Sequence, residues 1–335
     1  MDNVLANLRV LVIGYGSIGK RHTNNLMKLS KIELSICSKN KEAIQLERKG
    51  IKIYTSINKA LKEKFDIGFI CNETSLHIET AIKLAKNNQH IFLEKPLSNS
   101  LKNISILFKL INKKKLITMI GCNMRFHEGI KLMKELLDKQ EIGKIISASV
   151  ENGSYMPDWH PGEDYRLSYA SRKKLGGGVV LTQIHEVDYL YWFFEKVSEV
   201  FAITGKMSNL DIDVEDYCES LLKFKNNVIV NLHLDYFQRP AKRTCKIIGT
   251  EGQILWNWEN NHVQIYKNSN KKWITKKIDK KMDRNKMYVD ELKYFLDCVN
   301  KNKIPMNSII DAIEPQKISL AIKESAKKGQ KIKLN

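Results

Sequence analysis

With 335 residues and 43% apolar side chains, the chain can fill the cores of two domains. It has no run near the ~18 apolar residues of a membrane span, and its Met1-Asp2-Asn3-Val4 start lacks a secretory pattern. Its six cysteines are scattered without a Cys-x-x-Cys pair. These features indicate a cytoplasmic protein with reduced, mostly buried thiols and no membrane partner. The net charge of +19 comes mainly from lysines spread along the chain, which argues against nucleic-acid binding as the main function but would attract an anionic small molecule.

The first apolar segment, Arg9 to Ile13, predicts a strand that runs into a glycine-rich turn and then a helix to about Leu29. The turn reads Gly14-Tyr15-Gly16-Ser17-Ile18-Gly19, the Gly-x-Gly-x-x-Gly spacing in its required strand-turn-helix setting. In that motif the first glycine permits the tight turn, the second lets a pyrophosphate approach, and the third packs the helix on the strand. Residues 14–19 are therefore predicted to bind the phosphates of a dinucleotide at the helix N-terminus.

The next strand, Ile32 to Cys37, ends in Ser38-Lys39-Asn40. An NAD site commonly has an acid here that accepts from the ribose 2′-hydroxyl, and this sequence has none. Ser38 can donate to a 2′-phosphate while Lys39 neutralises it, which favours NADP as cofactor. The alternative is that NAD binds without the acid.

Strands and helices go on alternating up to Gly121, which predicts a doubly wound parallel sheet with its ligand at the carboxyl ends of the strands. The predicted elements are a helix from Lys41 stopped by Gly50, a strand from Asp66 to Cys71, a helix through Leu84, a strand from His90 to Glu94, a helix from Leu101 to Ile111 and a strand from Leu116 to Gly121. Ser38, Asn72 and Lys95 follow such strand ends and are predicted to line the site.

Lys95 follows a short apolar strand that stops at Glu94-Lys95-Pro96. Proline cannot continue a strand ladder, so we expect Lys95 to be held on a fixed turn. A neighbouring cation, a desolvated pocket or a nicotinamide face would lower the pKa of the lysine and make it a proton donor. The alternative is an ordinary surface turn.

After about Cys122 the pattern changes to strands with a period of two, most clearly from Val228 to Phe237. Further strand-rich segments lie near residues 145–150, 200–204, 244–248 and 263–266. We expect a mostly antiparallel, open-faced sheet in an α+β domain, with its apolar face covered by helices or a partner subunit. The predicted domains are 1–122 and 123–335, with closing helices near 286–299 and 309–326 that pack back on the first domain.

Within the second domain, a Gly176-Gly177-Gly178 loop leads into a helix that carries His185 and Asp188. Residues three apart share a helical face, so this pair suits a histidine acting as acid or base with a carboxylate beside it. The alternative is a structural histidine that satisfies a backbone group. A metal site is disfavoured because no further His or Cys lies at ligand spacing.

The polar loop from Met156 to Arg166 carries aromatic residues and an arginine, a composition typical of functional loops. Arg166 is a candidate clamp for a carboxylate or phosphate, and Trp159 or Tyr165 for stacking on a sugar ring. Asn123 and Arg125 are predicted to face the same cleft. The alternative is a solvated loop whose aromatics anchor it to the surface.

Taken together, these features resemble the Gfo/Idh/MocA family of nicotinamide-dependent sugar oxidoreductases over nearly the whole length. The matching features are Gly14-x-Gly16-x-x-Gly19, His77, Glu94-Lys95-Pro96, Asn123-x-Arg125-Phe126, Gly176-Gly177-Gly178 and His185-x-x-Asp188. The resemblance implies a Rossmann domain, a C-terminal open-faced sheet that forms homodimers or homotetramers, and a cofactor lying across Glu94 and Lys95. It also implies that Lys95 and His185 flank the reacting carbon.

Two departures from the family pattern concern the site. Many members have an aspartate shortly before the histidine, where this chain has Leu181-Thr182, so Asp188 is expected to take part of that work and Thr182 to contact substrate. The usual Thr-Pro is Asn72-Glu73 here. The block from Trp159 to Asp188 also resembles a subgroup associated with bacterial surface sugars, including nonulosonic acids and nucleotide-linked sugars.

The predicted function is hydride transfer between NADP, or NAD, and a secondary alcohol or ketone of an anionic sugar, with Lys95, His185 and Asp188 as catalytic groups. The predicted cofactor contacts are residues 14–19, Ser38, Lys39, Asn72, His77, Glu94 and Lys95; the predicted substrate contacts are Asn123, Arg125, Trp159, Tyr165, Arg166 and Thr182. The alternatives are reduction of an imine or enone, and a catalytically idle cofactor-binding sensor or scaffold.

Overall fold

The apolar segments of the first third of the chain pair into a six-stranded parallel sheet. The computed structural model describes residues 8–29, 32–278 and 284–334, so the Met1-Asp2-Asn3-Val4 start lies outside the described residues. The strands are β1 (Leu8–Ile13), β2 (Ile32–Cys37), β3 (Lys52–Tyr54), β4 (Ile67–Ile70), β5 (His90–Glu94) and β6 (Thr118–Gly121). Their order, β3-β2-β1-β4-β5-β6, reverses direction between β1 and β4. This is the strand order of a doubly wound dinucleotide-binding sheet, as predicted.

The helices between these strands are α1 (Ser17–Leu26), α2 (Lys41–Ile44), α3 (Ile57–Ala60), α4 (His77–Lys86) and α5 (Ile104–Lys114). Helix α4 packs on β4, β5 and α5 because one of its faces is apolar. The helix predicted from Lys41 is a short α-helix continued by a 3₁₀ turn. It stops at Gly50, whose φ of +79° is the left-handed conformation expected of a glycine cap.

The second half of the chain builds a nine-stranded sheet of order β14-β13-β12-β11-β7-β10-β9-β8-β15. The strands are β7 (Ile145–Gly153), β8 (Val197–Gly205), β9 (Tyr217–Phe224), β10 (Ile229–Asp235), β11 (Lys242–Gly249), β12 (Gly252–Asn257), β13 (His262–Lys267), β14 (Lys272–Lys277) and β15 (Ile332–Lys333). Only the β7–β10 pair is parallel among these described strands, which confirms the mostly antiparallel sheet.

Side chains alternate between the two faces of this sheet. The predicted inner face of residues 228–237 is confirmed, since Val228, Val230, Leu232, Leu234 and Tyr236 are all buried. The remaining helices are α6 (Glu128–Asp138), α7 (Val179–Thr182), α8 (His185–Phe194), α9 (Asn285–Asn300) and α10 (Ile313–Lys328). Helix α6 packs on β12 and β13, and α7 on β9 and β10. The opposite face exposes large apolar side chains, including Phe201, Ile203, Leu221, Ile229 and Trp273.

The chain divides into two units. The first comprises Met1–Gly121 and Tyr288–Ile313, and the second comprises Cys122–Met287 and Glu314–Asn335. A boundary was expected after residue 122, with closing helices near 286–299 and 309–326 that pack back on the first domain. Of these helices, α9 lies mostly in the first unit and α10 mostly in the second. Phe295 of α9 explains the placement, because its ring packs against Phe69 and Phe92 of the parallel sheet.

Short 3₁₀ helices complete the described structure; they are Gln45–Lys49, Thr74–Leu76, Asn123–Phe126, Met156–Asp158, Tyr165–Leu167, Tyr169–Ser171 and Lys173–Leu175. All six cysteines are buried free thiols, as predicted. Within residues 8–29, 32–278 and 284–334, no helix combines the length and hydropathy that crossing a membrane requires.

Candidate functional site

The register of the parallel sheet brings several predicted cofactor residues into one row. Cys37, Ile13, Ile70, Leu93 and Ile120 are aligned across β2, β1, β4, β5 and β6. The residues that follow them at the carboxyl edge are Ser38, Gly14, Cys71, Glu94 and Gly121. This edge includes the point where the strand order reverses, which is where dinucleotides bind in such sheets.

The glycines of the first turn show the geometry that the motif requires. Gly14 has φ +95°, and a Cβ there would lie 2.5 Å from the carbonyl oxygen of Cys71. A Cβ on Gly19 would lie 2.2 Å from the carbonyl oxygen of Gly14. A Cβ on Gly16 would meet nothing within 4 Å, so this backbone is open to a ligand. The loop therefore fits a pyrophosphate at the start of α1, where Ser17 and Ile18 form the first turn.

The turn after β2 holds the residues predicted to read the ribose. Ser38 is half-buried, and its hydroxyl oxygen accepts from the backbone N–H of Asn40 at 3.1 Å, while Lys39 is exposed. The Asn40 amide donates to the carbonyl oxygen of Tyr15 at 2.9 Å, and its Oδ1 caps α2 by accepting from Glu42. Asn40 thus joins this turn to the glycine loop, a role that was not predicted.

His77 connects the turns that follow β4 and β5. Its Nδ1 lies 2.8 Å from the carbonyl oxygen of Pro96, and its Nε2 lies 3.0 Å from that of Asn72. Burial lowers the pKa of His77, although both carbonyl contacts oppose that shift. The Asn72 side chain donates to Thr80 Oγ1 at 3.0 Å. His77 therefore positions the backbone on both sides of the predicted cofactor edge.

Glu94 ends β5 and Lys95 follows it, as expected, but the Glu94 carboxylate has a partner that was not predicted. His22 of α1 places Nε2 2.6 Å from Glu94 Oε1, and both side chains are buried. The signal was the position of His22 three residues after Gly19, on the face of α1 that packs on the sheet. Lys95 itself is half-buried, and the Lys95–Pro96 peptide is cis.

In the second unit, His185 is the first residue of α8 and is half-buried. Two acidic residues of the same turn are deeply buried and hold arginines. Glu186 Oε1 accepts from Arg243 Nε at 2.6 Å, and Asp188 accepts from Arg125. Acidic side chains in a first turn also suit the helix dipole. The start of α8 is thus fixed by two ion pairs, and Glu186 and Arg243 were not among the predicted site residues.

The pairing of Arg125 with Asp188 differs from the roles predicted for both residues. Arg125 Nε and Nη2 each donate to a different oxygen of Asp188 at 2.8 Å, and each side chain is 2% exposed. The guanidinium also lies 5.6 Å from the ring centre of Trp192. Arg125 engages both carboxylate oxygens of Asp188, as expected of opposite charges that are buried away from water. This geometry differs from the predicted roles, in which Asp188 orients His185 and Arg125 faces the cleft to contact the substrate.

The loop from Trp159 to Arg166 is anchored by its aromatic residues. Trp159 Nε1 donates to Ser154 Oγ at 2.9 Å, and the Tyr165 hydroxyl accepts from the backbone N–H of Asp211 at 3.1 Å. Arg166 is exposed and makes a bidentate pair with Asp164, which lowers the pKa of that carboxyl group. The predicted clamp is therefore occupied by a carboxylate of its own loop. Asn123 and Thr182, the other predicted substrate contacts, are buried in the second unit.

In the described residues, no group of three or more His, Cys, Asp or Glu side chains is arranged to hold a metal ion. The open backbone at Gly16 and the row of strand ends instead fit a dinucleotide. A sheet of this order with this glycine loop, joined to a second α+β unit, defines the class of dinucleotide-binding proteins with a Rossmann domain.

The family follows from two profile matches. Residues 8–122 match the family described as "Oxidoreductase family, NAD-binding Rossmann fold", and residues 130–255 match "GFO/IDH/MocA C-terminal domain". The chain therefore belongs to the Gfo/Idh/MocA family.

Known proteins of similar sequence and structure agree with this assignment. Myo-inositol 2-dehydrogenase of Thermotoga maritima is 27% identical over 342 residues, covering 98% of both chains. 2,7-Anhydro-N-acetylneuraminate hydratase of Escherichia coli is 26% identical over 202 residues, covering 60% of this chain and 53% of that protein. The solved structure of levoglucosan dehydrogenase in complex with NADH has a TM-score of 0.88 at 21% identity, covering 98% of this chain and 99% of that one, and so shows the shared fold.

Proposed function

We propose that the chain is an NAD(P)-dependent sugar dehydrogenase or reductase acting on a secondary alcohol or ketone. The observation that carries the proposal is the carboxyl edge of the parallel sheet, where Ser38 follows β2, the open Gly16 loop follows β1, and Glu94 ends β5 with Lys95 next in sequence. Nicotinamide, when bound, supplies the hydride acceptor or donor. In the oxidative direction the hydroxyl proton passes to a base of the protein, the C–H hydride leaves, and a C=O bond remains.

Lys95 and His185 are the proposed proton-transfer groups. Lys95 directly follows β5, and His185 begins a helix fixed by two buried ion pairs, so both side chains start from firmly held backbone. We assign Asp188 to positioning α8 through Arg125 and not to acid–base work, because both its oxygens accept from that arginine.

The finer substrate proposal is an anionic or nucleotide-linked sugar of surface-glycan biosynthesis. The charge of +19 supports an anionic substrate, and so does a relative named for a neuraminate, an acidic sugar. Arg166 is exposed, so exchange of Asp164 for a substrate carboxylate or phosphate would cost little.

The finer cofactor proposal is NADP, with NAD as the competing choice. An exposed Lys39 next in sequence to Ser38, with no acid among residues 38–40, supports a 2′-phosphate. The proposal further places the enzyme in the cytoplasm, where free thiols persist, and as a homodimer or homotetramer. Support for the oligomer is the exposed apolar row on the outer face of the nine-stranded sheet, which includes Phe201 and Leu221.

The test has two stages. Fluorescence titration with NADPH and NADH first establishes binding and preference. Hydride transfer to anionic and neutral sugars is then compared for wild type, Lys95→Met and the control Lys102→Met, an exposed lysine of the same unit. We expect cofactor binding in all three and turnover reduced at least about 100-fold only in Lys95→Met. Binding without any hydride transfer in wild type would favour a cofactor-dependent sensor, and binding of neither cofactor would refute both functions.

A further inference from the structure

A buried histidine–carboxylate pair lies at the carboxyl end of β5. His22 is fully buried and Glu94 is 6% exposed, and their Nε2 and Oε1 atoms are 2.6 Å apart. The imidazole packs among aromatic rings, with ring centres 5.0 Å from Phe92, 5.7 Å from Phe69 and 6.2 Å from Tyr288. This apolar cage holds the imidazole in one orientation toward the carboxylate.

The cage also indicates where the protons lie. His22 Nδ1 is buried and has no hydrogen-bond partner among the described residues. A proton on Nδ1 would leave a buried N–H unsatisfied, which is rarer in proteins than an unsatisfied acceptor. A neutral imidazole that carries its proton on Nε2 and donates it to Glu94 avoids this cost. In this arrangement Glu94 carries the negative charge and His22 none.

The strand order places this charge in a particular half of the sheet. A doubly wound sheet holds one half of a dinucleotide on each side of the reversal, which lies between β1 and β4 here. Ser38 and Lys39, which are predicted to contact the ribose, follow β2. The nicotinamide is therefore expected on the other side of the reversal, which includes β5. A Cβ on Gly121 of β6 would meet the Glu94 carboxyl carbon at 2.9 Å, so the carboxylate lies directly over the neighbouring strand end.

We infer that the Glu94 carboxylate, held in place by His22, selects the oxidised over the reduced cofactor. The oxidised nicotinamide ring is a cation and the reduced ring is neutral, so a fixed buried anion stabilises only the oxidised form. The inference rests on the proposed cofactor function and goes beyond it, because it assigns Glu94 an electrostatic role. It also makes His22 a positioning residue in the cofactor site.

The experiment measures the dissociation constants of the oxidised and reduced forms of whichever cofactor wild type binds more tightly, by calorimetry and fluorescence. Glu94→Gln removes the charge while keeping the size of the side chain. We expect the ratio of oxidised to reduced dissociation constants to rise on the order of tenfold. The matched control is Glu73→Gln, an exposed carboxylate beyond the end of β4, whose screened charge should change the ratio less than about twofold.

Two variants isolate the part played by His22. His22→Gln keeps an N–H donor and should leave the ratio within about twofold of wild type. His22→Phe keeps the ring packing but removes the donor that holds the carboxylate in place, so the ratio should move toward that of Glu94→Gln. Should Glu94→Gln not fold, Glu94→Asp shortens the side chain by one methylene and so withdraws the carboxylate from His22, which should shift the ratio in the same direction.

An unchanged ratio in folded Glu94→Gln or Glu94→Asp would overturn the inference while leaving the proposed enzyme intact. An equal change in Glu73→Gln would also overturn it, since a general charge field would then be the cause. Wild type that binds neither form of either cofactor would refute the proposed function itself.

Discussion

The guanidinium of Arg125 donates to both carboxylate oxygens of Asp188 at 2.8 Å, with each side chain 2% exposed. The pair joins the Asn123–Phe126 turn to the first turn of α8, where His185 lies. Removing one partner of such a pair leaves a buried charge without compensation, whereas removing both does not.

We therefore expect Asp188→Asn to lower the free energy of unfolding by about 3–5 kcal/mol. The double variant Arg125→Leu/Asp188→Leu should lose much less, because no charge is then stranded. Urea denaturation monitored by tryptophan fluorescence measures both. Asp164→Asn, which breaks the exposed pair with Arg166, is the control and should change the midpoint far less. A double variant as unstable as the single one would contradict this interpretation.

Gly14 and Gly16 should respond in opposite ways to alanine. At Gly14 the left-handed φ and the 2.5 Å approach to Cys71 leave no room for a Cβ, so Gly14→Ala should destabilise the fold by about 2 kcal/mol or more. At Gly16 the backbone is extended and nothing lies within 4 Å, so Gly16→Ala should fold normally but bind cofactor at least about tenfold more weakly. Thermal melting and cofactor titration of the two variants separate these effects. A Gly16→Ala protein with unchanged affinity for the cofactor would argue against a pyrophosphate at this loop.

His127 should make stability fall in acid. Burial, with a smaller contribution from Arg243, lowers the pKa of His127 from 6.5 to about 4. Below about pH 6.5 His127 binds a proton in the unfolded chain but not in the folded protein. The free energy of unfolding therefore falls by roughly 2–3 kcal/mol as the pH falls from about 6.5 to 4. His127→Asn keeps an acceptor for the cap at Gly129 but cannot titrate. Its denaturation midpoint should lack this part of the acid slope; an identical slope in both proteins would assign the effect to other groups.

His233 should make stability fall at alkaline pH. A hydrogen bond to Asp235, together with Glu219, raises the pKa of His233 to about 9 despite partial burial. Its stabilising contribution is complete below about pH 6.5 and is lost as the pH rises through 9, amounting to about 1–2 kcal/mol after screening by solvent. The difference in unfolding free energy between wild type and His233→Gln should shrink from pH 6.5 to 9.5. A constant difference would show that the histidine is neutral throughout.

Much of the site was predictable because its signals are local. The Gly-x-Gly-x-x-Gly turn, the strand that ends at Glu94 and the turn at Ser38 each depend on neighbours within a few residues, so their residue types and spacing specify them. The period of two from Val228 to Tyr236 likewise fixes which face is buried.

The partners of the charged residues were not predictable in this way. Glu94 pairs with a residue 72 positions away, and Asp188 with one 63 positions away. Sequence proximity suggested His185 as the partner of Asp188, but helical spacing only limits which side chains share a face and does not say what packs opposite.

The sequence by itself determined the two-domain class, the parallel sheet, the dinucleotide loop and the position of Lys95 at a strand end, because hydrophobic periodicity and turn chemistry act over short distances. Only the tertiary structure decided which acids and bases meet. In the tertiary structure Glu94 pairs with His22, Asp188 with Arg125 and Arg166 with Asp164. For the two buried pairs the physical reason is that a charge removed from water requires a hydrogen-bonding or oppositely charged partner. The fold can supply that partner from any distance along the chain.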